Sequence, residues 1–211
     1  GAINRSQRFI KRMDQITEER QKYAKLQSDF EAILYASRDK LEENHMFQRV
    51  ISDEEKETIK SQIATYLEQL ISGTRLSFNK LQEFYDEFTD KVSHVDSRVD
   101  ELIKRAPAFE TLNKTLREVH RTLTEVWPKT KPWLTTEQLE KVWRSYNNTK
   151  KWLEEKRSAQ MKVPDTEDPI VRVNDIEFQK MLLEHHFNST NKITKPVATP
   201  SSTPQPKDGE L

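Results

Sequence analysis

The chain has 211 residues, 35 basic against 35 acidic side chains, three glycines and no cysteine. That balance leaves no concentrated basic face to release counterions from nucleic acid, and without thiols there are no disulfides or thiolate metal sites. Gly73 is the only glycine between Gly1 and Gly209, too few to build a phosphate-cradling loop.

With 34% apolar and 33% charged residues, the composition fits narrow stripes on long helices rather than one thick core. From Ser6 to about Phe47, Phe9, Met13, Ile16, Tyr23, Leu26, Phe30, Ile33, Leu34 and Leu41 recur at three and four with no Gly or Pro between them. The spacing predicts one helix of about 40 residues, roughly 60 Å long, whose stripe needs a partner helix along much of its length. Ser52-Asp53-Glu54-Glu55 has the form of a capping box opening a second helix with Ile59, Ile63, Tyr66, Leu67, Leu70 and Ile71, which Gly73 stops.

A third stripe, Leu81, Phe84, Phe88, Val92, Val95, Val99 and Leu102, keeps the coiled-coil period until Pro107 ends it. A fourth follows with Phe109, Leu112, Leu116, Val119, Leu123 and Val126. Residues 127–133, Trp-Pro-Lys-Thr-Lys-Pro-Trp, read as a rigid connection, because each proline drives the residue before it out of the helical region. Thr135 and Gln138 form a second capping box ahead of Leu139, Val142, Trp143, Tyr146 and Leu153, in a helix reaching about Met161. Pro164 and Pro169 bracket an acidic loop. Asn174 and Glu177 then cap a short last helix with Ile176, Met181, Leu182 and Phe187.

The expected fold is therefore all-α, an elongated antiparallel helical bundle of about six helices with a long first helix. It should occupy residues 1–194. Residues 195–211, rich in Pro, Ser and Thr, cannot bury a core and are expected to be disordered. No window reaches the roughly 18 consecutive apolar residues of a membrane span, so no membrane insertion is expected.

No chemistry-bearing constellation stands out. His185 and His186 are adjacent, so a helix points them about 100° apart and they cannot clamp one metal; His45, His94 and His120 have no companion at ligand spacing. Asp86 with Asp90 and Glu54 with Glu57 read as solvated helix faces rather than acid–base pairs. The chain is expected to carry no catalytic residue, metal or cofactor and not to be an enzyme. All four tryptophans, Trp127, Trp133, Trp143 and Trp152, fall in one stretch. They suit packing at the proline turn, with Trp143, Tyr146 and Trp152 as the candidate contacts for a partner or substrate, since such aromatics anchor interfaces.

Asn-x-Ser/Thr occurs at Asn4, Asn113, Asn147 and Asn188, where average usage predicts about one. These four are candidate glycosylation sites and point to the secretory pathway.

Glu31-Ala32-Ile33-Leu34-Tyr35-Ala36-Ser37-Arg38-Asp39-Lys40-Leu41, then Ser52-Asp53-Glu54-Glu55, then Arg98, Glu101, Arg105, Phe109, Glu110 and Leu112, then Lys151-Trp152-Leu153, Pro169-Ile170-Val171 and Asp175-Ile176-Glu177 follow one another in the sequence. Together, over about residues 5–195, they resemble the C-terminal helical lid of the large heat-shock chaperones, the larger branch of the 70-kDa heat-shock superfamily. Tyr66-Leu67-Glu68, where that family usually has Trp-Leu, and His94, where it has proline, depart from the pattern. The resemblance implies a non-catalytic domain that embraces the nucleotide-binding domain of a 70-kDa partner chaperone so that ADP leaves, and that holds unfolded polypeptides. The sequons favour the branch of the endoplasmic-reticulum lumen, whose members end in Lys/His-Asp-Glu-Leu. This chain ends Lys207-Asp208-Gly209-Glu210-Leu211, similar but with an inserted glycine. A cytoskeletal or scaffolding bundle of spectrin-like type is the alternative, yet such arrays repeat with an aromatic in register, and no tryptophan precedes Trp127.

Overall fold

The computed structural model describes residues 2–200. Its elements are α1 (Ala2–Glu43), α2 (His45–Val50), α3 (Asp53–Ile71), α4 (Phe78–Arg121), a π-helical turn (Thr122–Val126), α5 (Trp127–Thr130), α6 (Thr136–Gln160) and α7 (Val173–Asn191). The fold is the all-α bundle the periodicity predicts, with no strand among the described residues. Residues 193–200 form no regular element; the rest of the predicted tail, including the Asp-Gly-Glu-Leu terminus, lies outside the described residues.

Two compact units divide the chain. The first runs to Ala106 and resumes for Ala159–Arg172. In it the second half of α1 packs against α3 and the first half of α4 around Phe30, whose ring lies 5.3 Å from Tyr66, 5.8 Å from Tyr85 and 6.2 Å from Phe88. Phe30 meeting Tyr85 and Phe88 while Lys40 meets Asp96 at 2.7 Å makes α1 and α4 parallel. Tyr66 meeting Phe84 at 5.1 Å while Glu55 meets Arg98 makes α3 antiparallel to α4. Tyr66, one of the departures from the family pattern, is thus a buried member of the aromatic centre.

The second unit holds Pro107–Ser158 and the described residues from Val173 on. Arg157 lies over the Phe109 ring at 5.9 Å and His120 over Trp143 at 5.6 Å, so the second half of α4 and α6 run antiparallel. Leu112, Leu116, Val119, Leu123, Val142, Ile176 and Leu183 fill this core.

Several local expectations hold in detail. Glu55 N–H donates to Ser52 Oγ at 3.2 Å and Ser52 N–H to Glu55 Oε2 at 3.0 Å; Gln138 N–H donates to Thr135 Oγ1 at 3.2 Å and Thr135 N–H to Gln138 Oε1 at 2.9 Å. Gly73 sits at φ +75° just past α3, the left-handed position that terminates a helix.

Four expectations need correction. The first helix stops at Glu43, not near Phe47, because the Asn44 side chain accepts from Phe47 N–H at 2.9 Å and caps α2 instead of continuing α1. Pro107 does not separate two helices. It lies inside α4, removing only the hydrogen bond its nitrogen would give Ile103, while packed apolar residues on both sides hold the helical path. Trp127 keeps helical angles although Pro128 follows it. The wide π turn, in which Trp127 N–H donates to Thr122 O, relieves the clash a proline makes with the carbonyl four residues back; only Lys131, before Pro132, leaves the helical region. Finally, α7 begins at Val173 and has 19 residues, so Asn174 is within the helix rather than its cap.

The stripe of α1 is covered only in part. Burial begins at Leu26, because α3 has 19 residues against 42 in α1. Ile3, Phe9, Ile10 and Met13 stay open to solvent.

A Cβ at residue 73 would meet nothing within 4 Å, so Gly73→Ala isolates backbone strain from packing. It should lower the unfolding free energy by about 1 kcal/mol, read as a shifted urea midpoint with an unchanged slope. A variant as stable as the parent would refute the strain.

Candidate interaction site

In the first unit the most demanding polar group is Arg98. Its side chain is 8% exposed, and a guanidinium that far from water needs partners for its fork of donors. They are supplied from three directions. Nη1 and Nη2 donate to the Glu55 carboxylate at 2.7 and 2.9 Å, Nε donates to Asp168 Oδ1 at 3.0 Å, and Nη1 also reaches the Val50 carbonyl at 3.3 Å. His94 Nε2 meets the same Asp168 oxygen at 2.9 Å. Beside this cluster Arg49 holds Asp165 at 2.8 Å. The sequence pointed to Arg98 only through the resemblance; its partners are 43 and 70 residues away.

Burial pushes the Glu55 carboxyl up, but the Arg98 hydrogen bond and the Ser52 donors outweigh it and hold it below the usual carboxylate range. Arg98 is pushed up in turn, first by its hydrogen bonds to Glu55 and against the effect of burial.

The candidate contact residues lie on α6. Trp143 and Tyr146 are half-buried, their rings 5.6 Å apart and perpendicular, and both touch His120 of α4, at 5.6 and 5.5 Å. Trp152 is half-buried two turns further on. The structure therefore joins Trp143 and Tyr146 in one patch and leaves Trp152 outside it. The other two tryptophans pack as the proline-turn reading expects. Trp127 is buried, stacked on Phe187 at 5.0 Å, and its Nε1 donates to Asn191 Oδ1 at 3.2 Å. Trp133 Nε1 donates to the Ile193 carbonyl at 3.2 Å.

All four sequon asparagines are on helices: Asn4 on α1, Asn113 on α4, Asn147 on α6 and Asn188 on α7. Asn4, Asn147 and Asn188 are exposed and Asn113 is half-buried. The third residues of the last two sequons, Thr149 and Thr190, are buried, so an enzyme reading those sites would need the segment before it folds. Asp86, Asp90, Glu54 and Glu57 are exposed, and the His185 and His186 rings sit 5.6 Å apart. No described helix is long and apolar enough to cross a membrane.

The bare part of α1 offers a different surface. Phe9 is 66%, Ile10 56% and Met13 48% exposed, contiguous along one stretch of helix, which is unusual for large apolar side chains without a partner.

Arg98→Met should lower stability by about 2–4 kcal/mol, because Glu55 and Asp168 lose their shared cation in a partly screened setting. Glu55 has a depressed folded pKa, so its contribution is complete above the unfolded carboxylate value of about 4.3 and fades as pH falls through the lower folded value. Melting temperature should drop on acidification, and Glu55→Gln should start lower and lose part of that pH dependence. An unchanged acid profile in Glu55→Gln would contradict the assignment.

Residues 110–193 match the family described as HYOU1-like, C-terminal domain. Over most of its length the chain is also similar to heat shock 70 kDa protein 17 of Arabidopsis thaliana, 24% identical across 89% of this chain and 22% of that protein. It is similar to hypoxia up-regulated protein 1 of Mus musculus, 28% identical across 95% of this chain and 20% of the relative, and to that of Homo sapiens, 28% identical across 90% and 19%. The chain thus spans about a fifth of the length of these relatives. No solved structure matches it. The resemblance read from the sequence therefore holds: over most of its length the chain is similar to large heat-shock chaperones, and residues 110–193 match the HYOU1-like C-terminal domain.

Proposed function

We propose that the chain is the C-terminal lid module of a large heat-shock chaperone of the endoplasmic-reticulum lumen, which assists nucleotide exchange on a 70-kDa partner chaperone and holds unfolded polypeptides, with no catalysis of its own. The observation that carries this is the match of residues 110–193 to the HYOU1-like C-terminal domain. The four sequons support the lumenal placement.

Exchange requires differential binding. The module must favour the nucleotide-poor state of its partner, since equal affinity for both states shifts nothing. Trp143, Tyr146 and Trp152 are the residues proposed to touch that partner, each with aromatic surface still accessible. Holding calls instead for bare apolar area, and Phe9, Ile10 and Met13 supply it.

The test uses two assays in parallel: release of fluorescent ADP from a lumenal 70-kDa chaperone, and light scattering from a denatured aggregating protein. The intact chain should accelerate the first, suppress the second, or both. Phe9→Ser with Met13→Ser should weaken suppression several-fold while leaving the melting temperature within about 2 °C, because these residues are exposed. Trp143→Ala with Trp152→Ala should slow ADP release. A chain inert in both assays would remove the reading.

A further inference from the structure

A groove of about 680 Å³ runs between α6 and α7. Lys141, Arg144, Ser145 and Asn148 line it from α6, Gln179 and His186 from α7, and no Asp or Glu borders it. Lys141 and Arg144 are exposed. Ion pairs on these two helices join Lys151 to Glu155 and Lys180 to Glu184, outside the groove. Among the described residues Lys141 and Arg144 form no close ion pair, although Glu137 and Glu140 stand one turn before them on α6. Two cations, two amides, three hydroxyls, His186 and Leu182 thus line the groove.

From these observations we infer that the α6–α7 groove is a binding site for a short acidic stretch of polypeptide. A guanidinium and an ammonium three residues apart on one helix face can each take a carboxylate. Asn148 and Gln179 both donate and accept, so they complement the alternating N–H and C=O groups of an extended backbone, which a simple anion lacks. From Lys141 to Asn148 the helix rises about 10 Å, the span of about three extended residues. Leu182 lies along the same lining and suits the apolar stem of a Glu side chain. The site shares none of its residues with the Trp143, Tyr146 and Trp152 set, and it stands independently of the exchange and holding roles.

The groove also bears on the sequons. Asn147-Asn148-Thr149 and Asn188-Ser189-Thr190 each place residues in the lining, and Thr149 and Thr190 are buried.

The test is fluorescence anisotropy of a fluorescein-labelled peptide of alternating Glu and Ala, titrated with the whole chain. Lys141→Glu with Arg144→Glu should weaken binding by about tenfold or more, and affinity should fall with added salt. Gln179→Glu, a single change on the opposite wall, should weaken it as well. Lys150→Glu with Lys151→Glu makes the same charge change at exposed positions of α6 outside the groove and should leave binding within about twofold of the parent. The inference is overturned if that control loses as much affinity as the groove variant, or if no peptide binding is found. It is equally overturned if inorganic phosphate displaces the peptide at equal concentration, or if vesicles of anionic phospholipid bind where the peptide does not.

Discussion

A buried guanidinium constrains the first unit more than any apolar contact does. Leaving water costs a charged group several kcal/mol, and Arg98 is stable in place only because Glu55, Asp168 and the Val50 carbonyl arrive together. Those three belong to the start of α3, the loop after α6 and the end of α2. One side chain on α4 thereby fixes where three other segments lie. Glu55 links two scales of structure, since the carboxylate that closes the capping box with Ser52 is the one that grips Arg98. His94 at Asp168 adds a donor to the same cluster at a position where the family pattern has proline, a residue with no side-chain donor.

In the second unit the ordering groups are aromatic. Trp127 against Phe187 and the His120, Trp143 and Tyr146 patch combine large apolar area with polar tips that find partners, as Trp127 does at Asn191 and Trp133 at Ile193. Buried Thr149 and Thr190 are small enough to let helices approach closely. Left uncovered after these requirements are met are the first part of the α1 stripe and the groove between α6 and α7. The first arises because α3, with 19 residues, is shorter than the 42-residue α1.

Interactions confined to a few consecutive residues could be read before the structure. Ser52 with Glu55, Thr135 with Gln138, and Gly73 behave as their local chemistry requires. Periodicity also named most of the core, from Phe30 and Leu34 to Leu112 and Val142. It failed where a local preference met stronger packing or a competing hydrogen bond. At Pro107 the helix persists because apolar stripes on either side remain seated; at Asn44 a side-chain cap breaks a stripe that looked continuous; at Pro128 a π turn absorbs the ring.

The sequence by itself determined that the protein is helical, where α3 and α6 begin and end, and which family it resembles, because each follows from spacing, caps and short motifs along the chain. Tertiary structure decided that Arg98 joins residues 43 and 70 positions away, that Trp127 is buried while Phe9 is bare, and that Lys141 and Arg144 border a groove without carboxylates. The physical reason is that pairing and exposure depend on which faces meet in space. A one-dimensional pattern gives each helix an apolar side but does not say how much of that side a neighbour is long enough to cover.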